Sequence, residues 1–255
     1  AFKIFNKFSK LYFQFEVLGE ENLPDLAHEN ALFVMNHTAF FGLDGYLLGA
    51  HLMGRGLQKP IRAMVWKRFL EGPLGRWFKT IGCIEANIDT AVEYLKAGDN
   101  VVVMPEGTDA TDVRNRINTF HTGYLRIAQR IPNLKIVPLA FYGIDQAIPW
   151  WLTTNRAIVK KMMDPLNIGL DFYIFPKFPV PRPTKVVFAF GEPFTLSPHD
   201  LDTEEKIRET NDRIKANIEA LIDRCEAHRE AALSTSPLNR LFHRIVGGKT
   251  TILPF

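Results

Sequence analysis

Serine is scarce in this chain: four occur among 255 residues, Ser9, Ser197, Ser234 and Ser236, and none stands in a Gly-x-Ser-x-Gly elbow. The strained turn that presents a nucleophilic hydroxyl in many hydrolases is therefore missing. Cysteine is scarcer still. Cys83 and Cys225 lie far apart and outside any Cys-x-x-Cys spacing, which excludes a disulfide framework and a zinc finger and fits a reducing compartment. Both are expected to be small apolar core residues, with Cys83 kept as an alternative nucleophile. No run of 18 or more apolar residues occurs, so no helix is expected to span a bilayer, and the first residues show neither the apolar core nor the cleavage site of a signal peptide. A cytoplasmic location is expected. A net charge of +3 without a basic motif points away from nucleic acid and towards an anionic membrane surface or substrate. His37, Asp44 and His121 lack the short spacings of metal-binding helices, so no metal is expected. Nor does a nucleotide loop appear: Gly247-Gly248-Lys249-Thr250 has His243 where such a loop begins with glycine, and no strand precedes it.

What the chain does contain is an ordinary globular mixture, 46% hydrophobic and 23% charged, enough for one large α/β domain. Short apolar runs at 31–35, 62–66, 82–84, 101–104, 136–142 and 185–190 read as strands and alternate with helical patterns. One helix is expected over 89–97 with Asp89 as its cap, a second over 121–131, stopped before Pro132. Asp202 and Glu205 resemble a capping box that opens a long helix to about residue 230. Ile207, Ile214, Ile218, Leu221, Ile222 and Cys225 form its buried stripe. The expected fold is α/β, a mixed, mostly parallel central sheet flanked by helices.

Two flanking segments have their own character. Residues 1–15 set Phe2, Phe5, Phe8 and Tyr12 at helical spacing among Lys3, Lys7 and Lys10, and the tail 231–255 sets Leu238, Leu241, Phe242, Ile245 and Val246 beside Arg240, His243 and Arg244. Each is an amphipathic segment suited to a membrane interface or to packing on the domain, which spans 16–230. Within the domain, 144–184 crowds Trp150, Trp151, Met162, Met163, Phe172, Tyr173, Phe175 and Phe178 among six prolines. It is expected to be a long loop that lines an acyl-chain groove or caps the core.

The chemistry begins at Asn36-His37 and ends at Asp44. A neutral imidazole takes a proton from an attacking hydroxyl, and a carboxylate on its other nitrogen fixes the tautomer and stabilises the imidazolium. In a continuous helix His37 and Asp44 would lie about 10.5 Å apart along the axis, too far to bond. The pair therefore needs strand 31–35, a loop carrying His37, a break at Gly42, and a helix that starts near Leu43 with Asp44 in its first turn. Downstream, the strand ending at Met104 runs into Pro105-Glu106-Gly107-Thr108. That turn puts a carboxylate and a hydroxyl at the carboxyl edge of the sheet, where open α/β sheets bind ligands.

The order of these pieces resembles the glycerolipid acyltransferase superfamily, the lysophosphatidic acid acyltransferase-like proteins. The resemblance runs through Gly19-Glu20-Glu21-Asn22-Leu23-Pro24, Asn36-His37 with Asp44, Gly82-Cys83-Ile84, Val103-Met104-Pro105-Glu106-Gly107-Thr108, Phe120-His121-Thr122-Gly123, Ile136-Val137-Pro138 and Gly191-Glu192-Pro193. It covers roughly residues 15 to 225. Six residues separate His37 from Asp44, against the four commoner in the family, a spacing similar to that of the monoacylglycerol-acyltransferase-like branch. The resemblance implies an acyltransferase-type single domain in which His37 is the general base, oriented by Asp44, for attack of a lipid hydroxyl on an acyl thioester. The donor would be acyl-coenzyme A or an acyl carrier protein thioester, the acceptor a lysophospholipid, monoacylglycerol or other lipid alcohol, and no cofactor would be bound. Glu106, Gly107 and Thr108 match the motif on the glycerol side of the substrate, with Asn36 beside them, and Pro138 a block on the donor side. Association would be peripheral, at a membrane surface.

Two positions depart from the phosphate-handling members, which place an arginine after Glu-Gly-Thr and a lysine before the x-Gly pair. Here these are Asp109 and His121. Replacing a guanidinium by a carboxylate turns a clamp for phosphate into repulsion. Arg114 and Arg116 are candidate substitutes from the next loop, and an uncharged acceptor gains weight. An oxyanion also needs donors, for which main-chain N–H groups at 36–44 or 107–108 are candidates. The other reading left open is a degenerate acyltransferase fold that serves as a lipid-binding or membrane-interaction module.

Overall fold

The structure, a computed structural model, describes residues 7, 10–25, 28–37, 42–107, 116–117, 119–147, 150–153, 173–176 and 183–235. A seven-stranded sheet forms the middle layer. Its strands are β1 (Glu16–Leu18), β2 (Ala31–Met35), β3 (Ile61–Val65), β4 (Cys83–Glu85), β5 (Asn100–Val103), β6 (Lys135–Tyr142) and, after a separate hairpin, β9 (Val187–Phe190). They lie in the order β1-β9-β6-β2-β5-β3-β4. β2 pairs in parallel with β5 and with β6, while β9 runs antiparallel to β6. The sheet is thus mixed and mostly parallel, as the alternation of apolar runs and helical patterns predicts.

Period-two alternation sends each strand's side chains into two cores. Leu32, Val34, Val101, Val103, Ile136, Ala140, Val187 and Ala189 face one core. Phe33, Met35, Val102, Val137, Leu139, Phe141, Phe188 and Phe190 face the other. Helices cover both faces, which is why β2 reads Ala-Leu-Phe-Val-Met and is buried at every position. α1 (Leu43–Gly54) lays Leu47, Leu48 and Leu52 on the second core. α4 (Ile88–Lys96), α5 (Gly123–Gln129) and α7 (Glu204–Thr235) cover the first, α7 through the Ile207-to-Cys225 stripe expected of it. Two short helices, α2 (Lys67–Glu71) and α3 (Gly75–Thr80), link β3 to β4.

Several details differ from the sequence expectations. α4 is capped by Asn87, not Asp89: the Asn87 side chain accepts the N–H groups of Asp89 and Thr90 at 2.8 and 3.4 Å, the geometry an N-cap requires. Asp89 sits two residues further on, within the first turn, and pairs with Arg130. At α7 the capping hydroxyl belongs to Thr203, which accepts from the Lys206 amide at 3.3 Å, and the reciprocal capping box forms upstream between Ser197 and Asp200. Cys225 is buried as expected, but Cys83 is only partly so. β1 went unseen because three residues are too few to show a period. In 144–184, α6 (Ile144–Ala147) is followed by β7 (Trp150–Thr153) and β8 (Tyr173–Pro176), an antiparallel pair. Aromatic and β-branched residues favour strand there, a signal masked by the density of proline. Residues 148–149, 154–172 and 177–182 of that segment, Phe2, Phe5 and Phe8, and 236–255 lie outside the described residues.

Candidate active site

β2 and β5 are adjacent and parallel, so the residues that follow them emerge side by side at one edge of the sheet. Asn36 comes first after β2. Its carboxamide accepts the Phe141 N–H at 2.9 Å and donates to the Phe141 carbonyl at 3.1 Å. It thereby continues the β2–β6 ladder one step past the last backbone pair, Met35 with Leu139. The main chain is then released to turn away at His37. Asn36 is 1% exposed, and the two bonds give it a task in holding the turn.

Gly42, the next described residue, has a left-handed φ of +68°, a conformation glycine takes without a Cβ penalty. α1 starts at the next residue, and Asp44 falls in its first turn. Its carboxylate meets His37 Nδ1 at 2.7 Å, while the other oxygen accepts the Gly45 N–H at 2.8 Å. The helix start at Leu43 with Asp44 in its first turn, expected from the spacing, is observed, while residues 38–41 lie outside the described residues. With a carboxylate opposite Nδ1, that nitrogen carries the proton and Nε2 keeps its lone pair. Asp44 is wholly buried, and the imidazole is 26% exposed, so one side of the ring reaches solvent while the carboxylate behind it does not.

Glu106 enters from β5. Its Oε1 accepts the backbone N–H of His37 at 2.7 Å, tying the ends of the two strands together. The turn that delivers it is closed by the Gly107 N–H on the Met104 carbonyl, 3.0 Å, and needs a left-handed residue at Gly107, φ +58°. The His121 N–H bonds the Pro105 carbonyl at 3.0 Å, so His121 stands against this turn. The His37 and Gly107 amides, two of the oxyanion donors considered from sequence, thus already have acceptors.

Burial and charge set the titration of the site. Burial disfavours the His37 cation, but the Asp44 charge, the Asp44 hydrogen bond and the Glu106 charge outweigh it and hold the pKa above the usual histidine value. Burial also drives the Glu106 carboxyl up to about 7, with Asp44 adding to it, against the lowering effects of the His37 amide, the His37 ring and Lys215. Cys83 has its thiol pushed up to about 11 by burial, leaving almost no thiolate for nucleophilic attack near neutral pH.

Asn36, His37, Asp44, Glu106 and Gly107 are thus gathered at one sheet edge. Arg116 is engaged elsewhere: its guanidinium bonds Asp223 and Glu226 of α7. Thr108, Asp109 and Arg114 lie outside the described residues. The contact from Glu106 to the His37 main chain was not anticipated, because nothing in either segment alone shows that β2 and β5 are neighbours. Among the described residues no group of three or more His, Cys, Asp or Glu is placed to hold a metal ion, and none of the described helices is long and apolar enough to cross a membrane.

The sheet edge thus carries a His-Asp pair after β2 and a Pro-Glu-Gly turn after β5. The acyltransferase family model matches residues 14–142, half of the chain and the stretch from β1 through β6, and the chain belongs to that family. Among solved structures it is similar to the 1-acyl-sn-glycerophosphate (LPA) acyltransferase PlsC from Thermotoga maritima, with a TM-score of 0.51 and 19% identity over 86% of this chain and 78% of that one. At that identity the likeness is one of fold. No curated protein sequence matches.

Proposed function

We propose that the protein moves a fatty acyl group from an acyl thioester to the hydroxyl of a lipid acceptor, with His37 as general base. The observation that carries this reading is the 2.7 Å bond between His37 and a fully buried Asp44, which leaves Nε2 as a base on the partly exposed side of the ring. Nε2 takes the acceptor's hydroxyl proton as the oxygen attacks the thioester carbonyl. Asp44 stabilises the imidazolium that results. When the tetrahedral intermediate collapses, the carbon–sulfur bond breaks and the leaving thiolate takes the proton from Nε2, giving an ester, a free thiol and a neutral His37. Glu106 holds the His37 main chain through the transfer and serves the glycerol side of the acceptor together with Gly107 and Thr108, the next two residues of the motif.

The acceptor favoured is an uncharged lipid alcohol such as a monoacylglycerol. Asp109 and His121 stand where phosphate-handling relatives carry cations, and Arg116 is already neutralised by Asp223 and Glu226, which argues against a phosphate there. The six-residue gap between His37 and Asp44 supports the monoacylglycerol-acyltransferase-like branch. The donor is an acyl-coenzyme A or an acyl carrier protein thioester, and the protein works as a cytoplasmic enzyme held peripherally at a membrane surface.

The test incubates purified protein with labelled palmitoyl-coenzyme A and a panel of lysophospholipid, monoacylglycerol and long-chain alcohol acceptors, with lipid products read by mass spectrometry. His37→Ala should abolish transfer while lipid binding persists. Thioester hydrolysis unaffected by any acceptor, or no turnover with any donor, overturns the reading; the second result would favour the lipid-binding module.

A further inference from the structure

β3 leads from the edge of the sheet that carries the site, one strand beyond β5, into α2 and α3 before the chain returns as β4, the outermost strand. This corner is secured from within by Phe78, which is buried and packs against Phe69 at 5.8 Å and against Trp77 at 5.1 Å. Among the described residues, its outer side is uncovered. Leu74 is 55% exposed, Trp77 50% and Ile81 39%. Their spacing, i, i+3 and i+7, puts all three on one helical face. A single exposed apolar side chain needs no explanation, but three large ones sharing a face mark a surface that something covers.

The surrounding charge says what kind of surface that is. Lys67, Arg68, Arg76 and Lys79 are all exposed on these two short helices, against one carboxylate, Glu71, which pairs with Lys67 at 3.7 Å. Four cations to one anion between residues 67 and 81 is an excess equal to that of the whole chain, +3. The Arg68 guanidinium lies 5.3 Å from the Trp66 ring centre. An apolar face that includes a tryptophan, on helices whose other exposed positions carry long flexible cations, suits a bilayer interface, with apolar groups among acyl chains and cations reaching to phosphates. A second copy of the chain is a poor match, since it would set these cations against their own kind.

We propose that the α2–α3 corner is the surface by which this protein docks on an anionic membrane. The inference rests on the reading of the protein as an enzyme of lipid acceptors and names the surface that brings such lipids to His37.

The test compares the full chain with two variants, Leu74→Ser/Trp77→Ser/Ile81→Ser and Arg76→Glu/Lys79→Glu, by co-sedimentation with vesicles of phosphatidylcholine alone or mixed with phosphatidylglycerol. Wild type should sediment with the anionic vesicles and less with neutral ones. Each variant should lose at least about tenfold in partition while circular dichroism and the melting midpoint stay unchanged. Should the triple substitution prove unstable, the charge reversal carries the test. Transfer to a water-soluble short-chain acceptor should be the same in all three proteins, and transfer to an acceptor embedded in anionic vesicles should fall with binding. The proposal is overturned if either folded variant sediments like wild type, if wild type binds neither vesicle, or if the triple substitution converts a dimer to a monomer by light scattering, which would assign the patch to a copy-to-copy contact. The expected sedimentation pattern without transfer to any acceptor upholds the docking surface and rejects the catalytic reading alone.

Discussion

Replacing Asp44 by asparagine changes almost no volume and tests the dyad directly. The side chain is wholly buried and bonds both His37 and the Gly45 amide. The substituted amide retains an oxygen for Gly45, so the start of α1 should hold. What it removes is the negative charge beside the ring. Opposite charges about 4 Å apart at an effective dielectric of ~20 attract by about 4 kcal/mol. With the amide oxygen kept on Gly45, the NH₂ group faces Nδ1 and drives the proton to Nε2, the wrong nitrogen for a base. A net loss of about 3–4 kcal/mol corresponds to a fall of about 10²–10³-fold in kcat. The pH profile should move as well. Wild-type rate rises as pH passes upward through a His37 pKa held above the usual histidine value. Without Asp44 the inflection should shift to lower pH while the plateau drops. The assay is release of coenzyme A thiol, with ester product by mass spectrometry, from pH 5 to 9. Activity within about threefold of wild type with an unmoved inflection would refute the role given to Asp44.

Glu106→Gln should make stability less dependent on pH. The folded protein holds the Glu106 proton up to about pH 7, against an ordinary 4.5. Its stabilising contribution is therefore complete below 4.5, falls as pH rises through the window to 7, and stands about 3 kcal/mol lower above it. Glutamine keeps the oxygen that accepts the His37 amide, so the melting midpoint of the variant should gain on wild type between pH 5 and 8; parallel curves would show that Glu106 is not strained by ionisation. Asn36→Ala leaves the Phe141 N–H and carbonyl without their present partners in a buried site, at a cost of about 2–4 kcal/mol by urea denaturation, with disproportionate loss of kcat because the turn carrying His37 loosens. Cys83→Ser should leave transfer within about twofold, since a thiol at about 11 is not the nucleophile.

The legible parts of the chain were those with a local cause. The strand Ala31–Met35 declared itself as an uninterrupted apolar run, the long helix by its isoleucine stripe, and the break at Gly42 by the geometric demand that His37 and Asp44 meet across seven positions of sequence. Where two neighbours competed for one role, local chemistry was ambiguous. Asn87 and Asp89 are both good caps, as are Asp202 and Thr203, and only the path of the backbone decided between them. The pair β7 and β8 was hidden because each strand is too short to show a period, and its evidence is a partner some twenty residues away.

The residue types, their order and the break in the helix were sufficient for an α/β fold and for an imidazole with a carboxylate behind it, because hydrophobic periodicity and backbone sterics act over a few residues. Tertiary structure alone decided that Glu106 would hold the His37 main chain, that Asn36 would extend the ladder to Phe141, and that Arg116 would be spent on Asp223 and Glu226. It also decided that Leu74, Trp77 and Ile81 would be left facing outward. Each of these depends on which strands and helices become neighbours, a choice made when apolar faces far apart in sequence are buried against one another.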